Sequence, residues 1–176
     1  MMYGLLVLIV VLSFWLFKRN WYDPVREAQS YRQEEAAPLS TAQIQLIRDS
    51  WQRVAPMKAK AAELFYGRLF ELDPAVKPLF RGKLDFQGDK LMTTLNVVVN
   101  SLDDLAEIEA MLQAMGKRHI IYGVEAAHYE TVGAALLWVL EQGLQEHYTE
   151  EVAEAWSIAY GLIATTMIEA AYAEES

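Results

Sequence analysis

The sequence predicts an all-α domain, and three observations carry that reading. From Ser40 onward apolar residues recur at helical spacing, helix-capping residues stand at the starts of those stretches, and no proline follows Pro78. Alternation of the kind a half-buried strand requires is missing.

The elements follow in order. Ser40-Thr41-Ala42-Gln43 fits a capping box, with Ser40 as N-cap and Gln43 reaching back. Ile44, Ile47, Trp51 and Val54 mark the inner face of the helix it opens, which should end before Pro56. A second helix is expected over about Lys58–Leu72, with Ala62, Phe65, Leu69 and Leu72 inward. Asp73-Pro74 reads as a cap followed by proline at the first helical position, opening a short helix that stops near Phe80. Residues 81–86 read as a loop. Two helices then follow, split at Asp103-Asp104, and two long ones close the chain at about 125–146 and 149–172. Thr149 caps the last, with Glu150 and Glu151 favourably placed at its positive end. Seven helices around one core suit a globin-like arrangement as well as a plain bundle.

Composition removes whole classes of function. With no cysteine there is no disulfide, iron–sulfur cluster, thiolate zinc site or thioether-linked haem. A formal charge of −9 argues against a nucleic-acid partner, which calls for a basic face. Neither a Gly-rich phosphate loop nor a G-x-S-x-G elbow occurs. His119, His128 and His147 are the only histidines, so any imidazole-bound metal uses one of them.

Residues 1–17 (MMYGLLVLIVVLSFWLF) carry no charge and are closed by Lys18 and Arg19. The run is within the ~17–25 residues of a spanning helix. Trp15, Trp21 and Tyr22 suit the headgroup level. It lacks the basic n-region and small-x-small site of a cleaved signal peptide, so it reads as a transmembrane anchor. Because the basic pair follows the run, the positive-inside rule puts the remainder in the cytoplasm, making a single-pass membrane protein. Residues 1–19 are thus the expected anchor, 20–38 a tether, and 39–176 one domain.

His119 is the most informative residue. Ile108, Met111, Leu112 and Met115 share its helical face, and on the preceding helix Gln87 heads a stripe of Leu91, Leu95, Val98 and Leu102. Each helix therefore turns one ligand-competent polar side chain inward. Spacing alone suits a hydrogen-bonded core histidine as well as an iron ligand.

The motifs themselves resemble a family. LSTAQIQLIRDSW (39–51), FYGRLFELDPAVKPLF, QGDKLMTTL, GKRHIIYGVEAAHY and EAWSIAYGLI occur in the order found in bacterial single-domain globins. They are similar to the haem domain of flavohaemoglobins, and LNVVVNSLDDL is similar to neuroglobin- and cytoglobin-type sequences. The resemblance spans about residues 39–173 and implies a globin fold holding haem b (iron protoporphyrin IX). It implies His119 as the proximal iron ligand, Phe80 as the wedge against the porphyrin, and Gln87 at the distal position. It also implies Leu91 shaping the ligand pocket, Tyr66 donating to bound dioxygen, Lys90 meeting a propionate, and Val124 and Tyr129 on the proximal side. His147, in a polar turn, reads as solvated, and His128 as a surface or supporting residue. Flavohaemoglobin-like proteins support the proximal histidine with a tyrosine and a glutamate. Here the place that would hold the glutamate carries Ala171, which would weaken the electron push that favours O–O cleavage.

Three functions follow as expectations. The first is reversible binding of dioxygen or another diatomic gas at the cytoplasmic face of a lipid bilayer, near respiratory enzymes. The second is nitric oxide dioxygenation with electrons from a separate, membrane-associated reductase. The third is a globin-fold sensor or interaction module.

Overall fold

The computed structural model describes residues 39–173. The expected anchor at 1–19 and tether at 20–38 lie outside the described residues. Among the described residues, no helix is long and apolar enough to cross a membrane.

Six α-helices build the domain: α1 Thr41–Val54, α2 Lys58–Leu72, α3 Leu84–Asn100, α4 Ala106–Ile121, α5 Ala126–Leu144 and α6 Glu150–Tyr172. Short 3-10 turns stand at Ala55–Met57, Pro74–Leu79 and Gln145–His147. The short helix expected before Phe80 is thus a 3-10 turn, with the Asp73 side chain accepting from the Ala75 N–H. Ser40 forms the full capping box with Gln43, and the Thr149 hydroxyl accepts from the Val152 N–H. Two expectations need correction. Residues 81–86 are not all loop, because α3 begins at Leu84; Lys83, its N-cap, makes no side-chain cap that the sequence could advertise. Leu72 is 40% exposed, since it ends α2 where the last turn meets solvent.

Packing follows the apolar stripes. Ile44, Ile47, Trp51 and Val54 are all buried on α1, which lies against α6, α5 and α3. Two buried indoles find partners there, as amphipathic rings require. Trp51 Nε1 donates to Asn96 Oδ1 at 3.0 Å, and Trp156 Nε1 donates to Ser50 Oγ at 2.9 Å. These bonds tie α1 to α3 and α6.

The arrangement of α3 and α4 matters most for function. Although consecutive, they lean on different neighbours, α3 on α2 and α1, and α4 on α6. The two therefore make little contact with each other. The α4–α6 crossing is close because Gly116 lacks a side chain: a Cβ there would stand 2.1 Å from the Met167 carbonyl oxygen.

Gly116→Ala should therefore destabilise the full chain by at least about 1–3 kcal/mol, the usual cost of overpacking against an immovable neighbour. Gly67→Ala, in α2 with nothing within 4 Å of the added methyl, should instead gain about 0.5–1 kcal/mol from reduced chain entropy. Urea unfolding followed by circular dichroism separates the two signs.

Candidate functional site

The last turn of α4 presents His119. Its Nδ1 lies 2.8 Å from the Met115 carbonyl oxygen. A carbonyl only accepts, so Nδ1 carries the proton and Nε2 keeps a free lone pair. Burial lowers the imidazole pKa, the Met115 bond opposes that shift, and the Arg118 charge adds to it. The ring is thus neutral near pH 7, the form that ligates a metal. The Val124 N–H donates to the His119 carbonyl at 2.9 Å, closing the helix end and placing Val124, half-buried, beside the histidine.

Behind His119 stands Tyr129, with ring centroids 6.3 Å apart. Its backbone oxygen accepts from Tyr160 Oη at 2.5 Å. The Tyr160 ring fits because Gly133 leaves it room; a Cβ there would meet the ring at 2.6 Å. Tyr129 Oη is buried with no hydrogen-bond partner among the described residues.

A second group of the expected site residues stands on α2, the turn after it and α3. Tyr66 is buried among rings, with Phe65 at 5.2 Å, Phe80 at 5.3 Å and Phe70 at 5.9 Å between centroids. Burial alone pushes its phenol up to about 12. Gln87 Nε2 donates to the Arg81 carbonyl at 3.1 Å, which fixes which end of the amide is nitrogen and leaves its second N–H available. Leu91, one turn on, is half-buried against the core. Phe80 likewise lies half-buried, in edge contact with Tyr66 and Phe70.

Tyr66 and Phe80 thus stand in ring contact near the start of α3, which carries Gln87 and Leu91, and His119, Val124 and Tyr129 stand together at the end of α4 and the start of α5. Lys90 joins neither. It is exposed, with its ammonium 4.5 Å from the Phe86 ring centroid. His147 is exposed, as expected of a polar turn. His128 has a role the sequence reading missed, since its Nδ1 accepts from the Glu125 N–H as half of a capping box. The Met115 carbonyl was legible as the residue one turn before His119. Tyr160, 31 residues from Tyr129, had no local signal.

These residues fit a haem better than a bare metal ion. Among the described residues, no group of three or more His, Cys, Asp or Glu side chains could hold an ion. One neutral imidazole is insufficient for a free cation, but it suffices for an iron already held by a macrocycle's four nitrogens. The half-buried apolar side chains Phe80, Leu91, Leu95 and Met115 suit the faces of such a ring.

Three expectations follow for stability. Tyr160→Phe should cost about 0.5–1.5 kcal/mol, because it removes a satisfied hydrogen bond. Tyr129→Phe should be neutral or stabilising, because its hydroxyl is buried unpaired. Urea midpoints check both. Tyr66, raised in the fold from an ordinary value of 10 to about 12, contributes stability that is complete below pH 10. That contribution disappears as pH climbs through about 12, because the unfolded chain releases the proton first. Tyr66→Phe should flatten the alkaline limb of a pH–stability curve.

Comparison with known proteins agrees with this geometry. Residues 63–167 match the globin family. Neuroglobin from Danio rerio is 32% identical over 137 residues, covering 69% of this chain and 86% of the relative. Neuroglobin from Chaenocephalus aceratus is 29% identical over 143 residues, covering 73% and 90%. A bacterial globin from Campylobacter jejuni superposes with a TM-score of 0.66 at 26% identity, covering 75% of this chain and 96% of that one. A hexacoordinated haem protein from an anhydrobiotic tardigrade gives 0.69 at 19% identity, covering 76% and 96%, a likeness of fold alone. With its helices and its sequence in agreement, the chain belongs to the globin family.

Proposed function

We propose that this chain is a membrane-tethered haem b globin whose cytoplasmic domain binds dioxygen or a similar diatomic gas. The observation that carries the gas-binding reading is His119 itself, a neutral imidazole whose Nδ1–H is committed to Met115 and whose Nε2 is left free. Haem, when bound, supplies a ferrous iron that accepts one diatomic ligand and lends it electron density. His119 Nε2 would hold the iron from the α4 side. From the opposite wall, the Tyr66 hydroxyl and the second N–H of Gln87 would donate to the partly negative end of the ligand. Phe80 and Leu91 would keep water from that space, which protects the ferrous state.

The tether and compartment rest on sequence. Residues 1–17 are uncharged and apolar, and Lys18 and Arg19 follow them, which supports an anchor with the globin domain on the cytoplasmic side. A gas carrier held there would serve a membrane-bound respiratory enzyme or reductase.

Tyr66→Phe and Gln87→Leu should each speed dioxygen dissociation about tenfold, the equivalent of ~1.4 kcal/mol for one charge-assisted hydrogen bond. Flash photolysis or stopped-flow mixing measures this, and an unchanged rate in both variants contradicts the assignment of the donor wall. Deletion of residues 1–17 should move the protein from the membrane fraction to the supernatant; retention in the membrane contradicts the tether.

A further inference from the structure

We propose that the end of the globin domain bordering His119 is a lipid-docking face, lying against the anionic headgroups of the bilayer that residues 1–17 enter. The inference rests on the tethered reading above. Among the described residues, five of the eight exposed large apolar side chains fall in two short segments. Leu84 (41%) and Phe86 (61%) open α3, and Ile120 (38%), Ile121 (80%) and Tyr122 (57%) close α4. Met57, Leu72 and Val97 are scattered singly elsewhere.

The two segments share one end of the molecule. Gly123 lies against the residue before Phe80: a Cβ there would stand 3.4 Å from Leu79 Cδ2. Gln87 in turn bonds back to the Arg81 carbonyl, tying the start of α3 to that corner. Ile121 stands two positions after His119, roughly 200° around the helix. It therefore points away from the side of α4 that carries His119, and a group held by that imidazole would not cover it.

Charge selects the occupant. Arg81, Lys83, Lys90, Lys117 and Arg118 stand in these segments against only Asp85 and Asp89, in a chain of net charge −9. The nearest further acid, Glu125, accepts from a backbone N–H as the cap of α5. Basic residues interleaved with exposed aromatic and aliphatic side chains match an anionic membrane surface. Reach is no obstacle. Residues 20–38 span at most about 65 Å, whereas a domain of this size has a radius of gyration of about 14 Å.

The cysteine-free chain allows a direct test. Full-length Ile121→Cys and Gln142→Cys proteins, each carrying one environment-sensitive fluorophore, are reconstituted into phosphatidylcholine vesicles with or without phosphatidylglycerol. Lipids bearing a headgroup nitroxide act as quencher. Position 142 lies near the far end of α5, about 24 Å along the helix from its start. Quenching at 121 but not at 142, dependent on phosphatidylglycerol, is the expected result. Adding Lys83→Gln, Lys117→Gln and Arg118→Gln should lower the docked population about 100-fold, since each basic residue near an anionic surface contributes about a factor of five. A chain that floats with the vesicles while its 121 label stays unquenched overturns the docking face and leaves the tether intact. A chain that never floats removes the tether and the docking face together. Shielding at 121 that follows protein density, regardless of lipid quencher, assigns the face to a second copy and likewise overturns the proposal.

Discussion

The turn of α4 between Met115 and His119 is the constraint on which the site depends. Gly116 presses it against the Met167 backbone of α6, where no larger residue fits. The Met115 carbonyl then takes the His119 Nδ1 proton, and the Val124 N–H caps the His119 carbonyl. One tight helix crossing and two hydrogen bonds thereby set where the imidazole sits, which tautomer it holds and which nitrogen remains free. Burial keeps it neutral. The position of Nε2 thus depends on the packing at Gly116.

The opposite wall is organised differently. Tyr66 is held by ring contacts with Phe65, Phe70 and Phe80, whereas Gln87 is held by a backbone carbonyl. Aromatic packing fixes a phenol's position but leaves its hydroxyl uncommitted, and the Arg81 bond uses only one of the two N–H groups of Gln87. Both residues therefore keep a donor in reserve. A site for a neutral diatomic needs just such donors, because any charge on the ligand appears only once it is bound. On the His119 side, Tyr129 Oη is buried with no hydrogen-bond partner among the described residues.

How much of this was legible in the sequence depended on whether the signal was local. Ser40, Asp73 and Thr149 announced their helices because a capping side chain bonds two or three residues away. His119 and Gln87 stood out because both sit on apolar stripes, and the resemblance pointed to Tyr66, Phe80, Val124 and Tyr129. The start of α3 was misplaced because Lys83 caps nothing. His128 was read as a surface or supporting residue because histidine is only intermediate in burial, yet its ring caps α5. Lys90 stands exposed, with its ammonium over the ring of Phe86 one turn earlier on the same face. Tyr160 joins Tyr129 across 31 residues, a contact that only the folded chain brings about.

One measurement bears most directly on the whole account: haem uptake by the full chain and by His119→Gly, followed at the Soret band with and without added imidazole. The expected result is a tight complex for the unmodified chain, loss of its characteristic spectrum in the variant, and recovery when free imidazole replaces the missing side chain. A variant that takes up haem with an unchanged spectrum would contradict it.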